Sequence, residues 1–358
     1  MTAPRYRAED LIAFATQLFA AAGCDGDKPD VVARLLVEAD LLGHTTHGLA
    51  LAPAYLADLH TGGMRPTGSP VVVQDRGAAV TWDGTRLSGV WLAAKAVDLA
   101  VERAPVYGTV TVVIRKSHHI ACLAAFLQRA TDRGLMVQVA SSDPAFRSVA
   151  PFGGTTPVYT PNPLAVGIPT DGDPILIDVS ASITTNGMAN RLRKEGKRFP
   201  GAWARDAQGV PTDDPDALFT NPPGSLLPVG GADHGHKGFG FGLMIEALTQ
   251  GLSGFGRAEA PTQWGASVFV QVIDPSAFGG AADFRRETEW LARACRASAP
   301  APGFDAVRLP GERGLARKRK ALADGVELYA GVLAALEPHA TRLGVPVPTA
   351  LTPSASPL

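Results

Sequence analysis

The chain has 358 residues, a length that suggests two domains, and its 33 Lys and Arg against 34 Asp and Glu leave a net charge of −1. That balance disfavours a general nucleic-acid binder, and 46% hydrophobic with 19% charged residues disfavours disorder. No stretch offers the roughly 18 unbroken apolar residues of a membrane-spanning helix, the N-terminus lacks the apolar block of a secretory signal, and three scattered cysteines (Cys24, Cys122, Cys295) without a CxxC fit a reducing cytoplasm.

Apolar residues at helical spacing over 8–22 (Leu11, Phe14, Ala15, Leu18, Phe19, Ala22) predict a helix that Gly23 stops. A second helix is predicted over 28–42, with Asp27 as its cap and Pro29 in its first turn. After a junction at 43–51, a short helix runs through Tyr55 and Leu59 to the Gly62-Gly63 break, so the first 65 residues read as a helical unit. The period then changes. Residues 71–73 and 79–82 predict paired strands around 75–77, followed by a helix over 89–104 and a nearly continuous apolar strand over 108–114. A helix over 121–133 and strands over 135–140, 163–169 and 175–179 come next. The stretch 184–232, rich in Gly, Pro, Asp and Arg, reads as mostly loop, which at that length points to function. A helix over 237–252, a strand over 267–273 and helices over 285–297 and 314–336 precede a Pro- and Ser-rich tail from Val345. The mixed order predicts a sheet covered by helices, and no internal repeat is present.

Generic motifs leave the chemistry open. There is no G-x-G-x-x-G between a strand and a helix, and the cluster Gly238, Gly240, Gly242 has the wrong spacing because position 243 is leucine. P-loop, H-E-x-x-H and G-x-S-x-G patterns are also absent. Six of the eight histidines form three tight groups, His44/His47, His118/His119 and His234/His236. Histidine can pass a proton to a carbonyl oxygen or bind a metal, but Asp233 is the one carboxylate or thiol directly adjacent to these pairs in sequence, so no metal site is assigned.

The run GHTTHGLALAPAYLADLHTGG (43–63) resembles the N-terminal signature of the malate/L-lactate dehydrogenase family, nicotinamide-dependent oxidoreductases without a Rossmann fold. That family includes ureidoglycolate dehydrogenases, diketogulonate reductases, hydroxycarboxylate dehydrogenases and reductases of cyclic imino acids such as piperideine carboxylate. Further matches follow in order: RKSHHIACLAAF (115–126), ASSDPAFRSVAPFGG (140–154), TPNPLAVGIP (160–169), ILIDVSAS (175–182), PGAWARDAQGVPTDDP (200–215), LLPVGGADHGHKGFGFGLMIEALTQGLSG (226–254) and RLPGERG (308–314). The resemblance spans about 8–335.

The resemblance implies that His47, in Thr46-His47-Gly48, gives the proton to the substrate carbonyl, with Thr46 standing where the family usually has serine. His119 matches a second histidine near the nicotinamide, and Asp178 an aspartate beside the cofactor that supports the histidine. Implied dinucleotide contacts are Ser117, His118, His119, Ser142, Thr160, Asp178, Val179, Ser180, Ala181, Ser182, His236, Lys237, Gly311, Glu312 and Arg313. Two departures stand out: Leu51 replaces the arginine expected to grip a substrate carboxylate, and Ala121 replaces a usual glycine.

The implied fold is α/β and non-Rossmann: a mixed-sheet cofactor domain plus a helical domain built from both chain ends. Residues 1–75 with 280–340 would form the helical and mixed domain, 76–279 the central region with the NAD(P)-binding domain at about 125–255, and 341–358 a flexible tail. The resemblance also implies a homodimer, while cysteine usage, charge and hydropathy lead to the expectation of a cytoplasmic protein without nucleic-acid or membrane partners. The leading expectation is an NAD- or NADP-dependent oxidoreductase interconverting a 2-hydroxy acid and a 2-oxo acid. Reduction of a cyclic imino acid is the enzymatic alternative; a metal-dependent hydrolase and a non-catalytic ligand binder rank below. Residues 190–198 carry five cations and one acid. They are either a solvated basic loop or the partner of an adenosine 2′-phosphate, and the second reading predicts that NADPH is used at least as well as NADH.

Overall fold

The computed structural model describes residues 4–351. Four helices open the chain: α1 (Ala8–Ala21), α2 (Lys28–Leu42), α3 (Ala52–Thr61) and α4 (Gly89–Tyr107). The apolar stripe of α1 buries Leu11, Phe14, Leu18 and Phe19, each side chain contributing about 1.5–3 kcal/mol. Asp27 does not cap α2. Its carboxylate is taken by the Trp91 indole at 2.8 Å and by Lys95 at 2.6 Å.

Seven strands form the main sheet: β1 (Val71–Asp75), β2 (Ala79–Asp83), β3 (Thr109–Ser117), β4 (Met136–Ser142), β5 (Pro163–Ile168), β6 (Ile175–Ser180) and β7 (Ala266–Ile273). Their order is β1-β2-β3-β7-β4-β5-β6, so the last strand in sequence sits in the middle. Every pair is antiparallel except β2 and β3. A parallel pair needs a long crossover, which α4 supplies while packing its apolar face on β3 and β7. The run ASVFVQVI in β7 is mostly buried, as a strand covered on both faces requires. Val71–Asp75, predicted to pair with 79–82, does so as the exposed edge strand of this sheet.

The second half adds α5 (Asn186–Lys194), α6 (His236–Glu246), α7 (Ala281–Ala297), α8 (Glu312–Asp324) and α9 (Val332–Leu343). The two chain ends meet: Arg5–Tyr6 pairs with Val326–Glu327, α8 packs on α2, and α9 packs on α1 and α3. The Leu351 amide donates to the Arg5 carbonyl at 2.7 Å, so the tail is tied down at least to that residue; the rest of it, 352–358, lies outside the described residues. Among the described residues no helix is long and apolar enough to cross a membrane.

Two sequence expectations change, and a third gains detail. The helix expected over 314–336 is two, broken between Gly325 and Gly331, both in left-handed backbone. The helix expected over 121–133 shrinks to a 3-10 turn (Leu123–Phe126) and one α-turn (Gln128–Thr131), because Ala121 is left-handed and the Ala124 amide is drawn to Asp178. The stretch 184–232 is mostly loop, as expected, but it carries regular elements that the sequence reading did not place. It holds α5, whose Thr185 cap accepts from the Met188 amide at 3.2 Å, and a three-stranded sheet (Ala204–Arg205, Pro211–Thr212, Ser225–Leu226). Its own small core joins Ala189, Phe199, Ala204 and Leu226 to Val149 and Tyr159.

Candidate active site

A cleft of about 1090 Å³ is walled by residues 43–47, 119–123, 160–163, 178–180 and 182–190, with Leu51, Arg147 and Trp264. His47 comes from the loop between α2 and α3. Gly48 must lack a side chain, since a Cβ there would run into the Asp40 carboxylate, which accepts the Leu49 amide at 2.8 Å. Asp40 is buried, and burial pushes its pKa up to about 7. The Thr46 hydroxyl hydrogen-bonds His47 Nδ1 at 2.8 Å. Burial, then the nearby His44 and Arg191, hold the His47 pKa down at about 4, so the ring is neutral at pH 7.

The adjacent histidines at the end of β3 part company. His118 is fully buried; its Nε2 donates to Asp58 at 2.8 Å, and its ring meets Tyr55 and Trp264 edge-on. It does not line the cleft. His119 does. Its Nδ1 accepts from the Tyr55 hydroxyl at 2.7 Å and the Ala121 amide at 3.3 Å, which leaves Nε2 to carry the proton of the neutral ring. His119 stacks on Trp264, with centroids 4.7 Å apart, and beyond it on His47 at 6.1 Å. Burial drives its pKa well below the ordinary histidine value.

Asp178, on β6, lines the cleft, but among the described residues it bonds neither His47 nor His119. Its Oδ2 accepts the Ala124 amide at 2.9 Å and stands 3.7 Å from Cys122 Sγ. Burial raises its pKa, with His44 pulling the other way. Thr160, Val179, Ser180 and Ser182 also face the cleft.

The other implied contacts lie elsewhere in the single chain. Ser117 is buried and donates to the His118 carbonyl. Ser142 sits behind the wall, donating to Glu246 at 2.7 Å beside Arg257. Ala181 is buried and accepts the Val229 amide through its carbonyl. His236 and Lys237 are exposed in the first turn of α6, whose Gly238 amide bonds the Val229 carbonyl. Gly311 is left-handed and pressed on Leu176, Glu312 pairs with Arg296 at 2.6 Å, and Arg313 is exposed. None of these residues lines the cleft.

The basic segment is largely self-satisfied. Arg191 stacks on Tyr329 at 3.7 Å and donates to Thr45, Arg193 pairs with Asp216, Lys197 with Glu195, and Arg198 with Asp213. Arg147 is different. It is the one Lys or Arg among the residues lining the cleft, it is exposed, and it has no carboxylate partner among the described residues. Sequence reading passed over Arg147, Tyr55, Asp58, Trp264, His44 and Cys122 as site residues. The one legible signal was Tyr55 and Asp58 at i, i+3 on one face of α3, opposite the adjacent pair His118/His119.

Comparison with known proteins agrees with this geometry. Residues 6–337 match the malate/L-lactate dehydrogenase family. The L-lactate dehydrogenase of Cupriavidus necator is 31% identical over 346 residues, covering 94% of this chain and 97% of that protein. The pyrroline-2-carboxylate/piperideine-2-carboxylate reductase of Pseudomonas syringae pv. tomato is 31% identical over 327 residues, covering 88% and 90%. The crystal structure of malate dehydrogenase from Entamoeba histolytica superposes with a TM-score of 0.91 at 25% identity, covering 97% of this chain and all of that one. The chain belongs to the malate/L-lactate dehydrogenase family, a group of hydroxy-acid dehydrogenases.

Proposed function

We propose that the protein interconverts a 2-hydroxy acid and its 2-oxo acid with NAD or NADP in this cleft, His47 handling the proton. The observation that carries the reading is the pair of neutral, stacked imidazoles, His47 and His119, each held through Nδ1 by a hydroxyl and each lining the cleft. That arrangement leaves Nε2 of His47 to take the hydroxyl proton of the alcohol or return it to the ketone oxygen, and Nε2–H of His119 to donate to the same oxygen.

The wall suits a nicotinamide ring. β6 is the edge strand of the main sheet, so Asp178, Val179 and Ser180 offer peptide groups that no further strand pairs, and the buried Ser148 hydroxyl in the cleft lining has no partner. When bound, the nicotinamide supplies the hydride donor or acceptor at the substrate carbon. Lys237, in the positive first turn of α6, is the residue we assign to a cofactor phosphate. With Leu51 in the cleft, the substrate carboxylate needs another cation, and Arg147 is the one available.

The similarity to the imino-acid reductase favours one second reading, reduction of a cyclic imine that bears the same carboxylate. Assays with pyruvate, phenylpyruvate and piperideine-2-carboxylate, each with NADH and NADPH, decide between the two; turnover of the imine alone would replace the first reading with the second. The protein also acts as a homodimer in this reading, supported by the exposed Phe241, Leu243 and Met244 on α6, which a second copy would cover. Sedimentation at micromolar concentration tests this, and a monomer would refute it.

A further inference from the structure

Three side chains that no motif joins meet in the cleft wall: His44 from the loop after α2, Cys122 from the turn after β3, and Asp178 from β6. Their donor atoms all lie within 4.8 Å of one another, and no other group of histidine, cysteine and acidic side chains comes together this way among the described residues. The Cys122 Sγ to Asp178 Oδ2 distance is 3.7 Å. A tetrahedral zinc ion, with bonds of about 2.3 Å to sulfur and about 2.1 Å to oxygen, sets those two atoms about 3.6 Å apart. That edge already has coordination length. His44 completes the face by moving at most about 1.3 Å, which a small side-chain rotation supplies.

The surroundings favour a cation. Asp178 is a half-buried carboxyl whose partners are one amide and a thiol, a weak donor; neither supplies the positive charge that favours a carboxylate withdrawn from most of the solvent. The Ala124 amide holds the carboxylate in place, as supporting bonds do behind ligating carboxylates. Imidazole, thiolate and carboxylate together suit zinc and its neighbours rather than magnesium or calcium, which take oxygen. All three residues line the cleft, so the fourth coordination position opens into it.

We propose that His44, Cys122 and Asp178 form a binding site for a zinc-class divalent cation, and that the occupied site excludes the dinucleotide from this wall. Binding releases the thiol proton to solvent, with no change of oxidation state, so affinity rises with pH. The exclusion rests on the dehydrogenase reading above; the metal site itself does not.

The test is a titration of full-length, untagged, metal-stripped protein with cobalt(II), read by its thiolate charge-transfer and tetrahedral bands, followed by zinc displacement. One equivalent is expected to bind. Cys122→Ala should abolish the charge-transfer band and weaken zinc binding at least about 100-fold, the upper end of what even an outer supporting partner contributes. Asp178→Asn should keep the band with weaker binding, and Cys24→Ser and Cys295→Ser should change nothing. A band that survives Cys122→Ala, or disappears with either of the other two cysteines, overturns the site. In the kinetic arm, zinc should raise the KM for cofactor and EDTA should restore it; a cofactor KM that zinc leaves unmoved at full occupancy overturns the exclusion. Absence of all dehydrogenase turnover would sink the functional reading, and the cobalt spectrum, which needs no turnover, would still decide the site.

Discussion

On the side of the cleft that carries His47 and His119, the supporting contacts run into the core: buried Asp40 under Gly48, buried Tyr55 on His119, and half-buried Asp58 on the fully buried His118. On the side built from 184–232, the supports are surface ion pairs such as Arg193 with Asp216 and Arg198 with Asp213, over a core of a few side chains. The first arrangement is costly to disturb, because removing one partner strands the other away from water. The second contributes little per pair and is screened by salt. The proton transfer proposed above tolerates little misplacement, and in that reading it stands on the more rigid side.

Substitutions at four residues would break or sharpen that contrast. The largest effect is expected from His47→Ala, which should lower kcat at least about 100-fold while leaving the melting temperature nearly unchanged, since its ring lines the cleft and carries no core packing. Near-normal turnover would pass the acid–base role to His119. In the wild type, the low His47 pKa sets the sign of the pH dependence. Oxidation needs the neutral ring, so its kcat/KM should be flat above pH 6 and fall through about 4. Reduction needs the imidazolium, so its kcat/KM should rise about tenfold for each unit of acidification from pH 8 to pH 6. A bell centred at neutral pH would contradict this.

Arg147→Ala should raise the KM for the oxo acid about tenfold to a hundredfold with kcat nearly kept, the size of a lost charge-assisted hydrogen bond, and Arg147→Lys should recover part of it. An increase confined to the cofactor KM would move Arg147 to a phosphate. Tyr55→Phe removes the shorter bond to His119 Nδ1 and should cost about 1 kcal/mol of stability by denaturant titration, with a turnover loss of up to about tenfold. Arg193→Ala, on the other wall, should change stability by less than about 1 kcal/mol and that little should vanish at high salt. If Arg193→Ala proved as costly as Tyr55→Phe, the two sides would not differ in kind.

Much of this was legible from the chain alone where a local rule sufficed. The residues of α1 follow from apolar spacing and the Gly23 stop, and the strands of the main sheet from their apolar runs. The polar α5 was missed because Ala189 is its one buried residue, which leaves too thin a stripe for a periodicity argument. The single helix expected over 314–336 failed for a different reason: Gly325 and Gly331 take a left-handed backbone that ends one helix and starts the next.

The sequence by itself determined the family and the helices and strands with strong periodicity, and it pointed to His47 and His119 for the proton transfer proposed above, since each rests on residues close together in the chain. Tertiary structure decided which of two neighbouring histidines faces the cleft. His118 and His119 differ by one position, and what separates them is Asp58 and Tyr55, which α3 brings from 60 and 64 residues away. It also decided that His44, Cys122 and Asp178 share one point in space, a meeting that no spacing along the chain encodes because it depends on how a loop, a turn and an edge strand pack against each other.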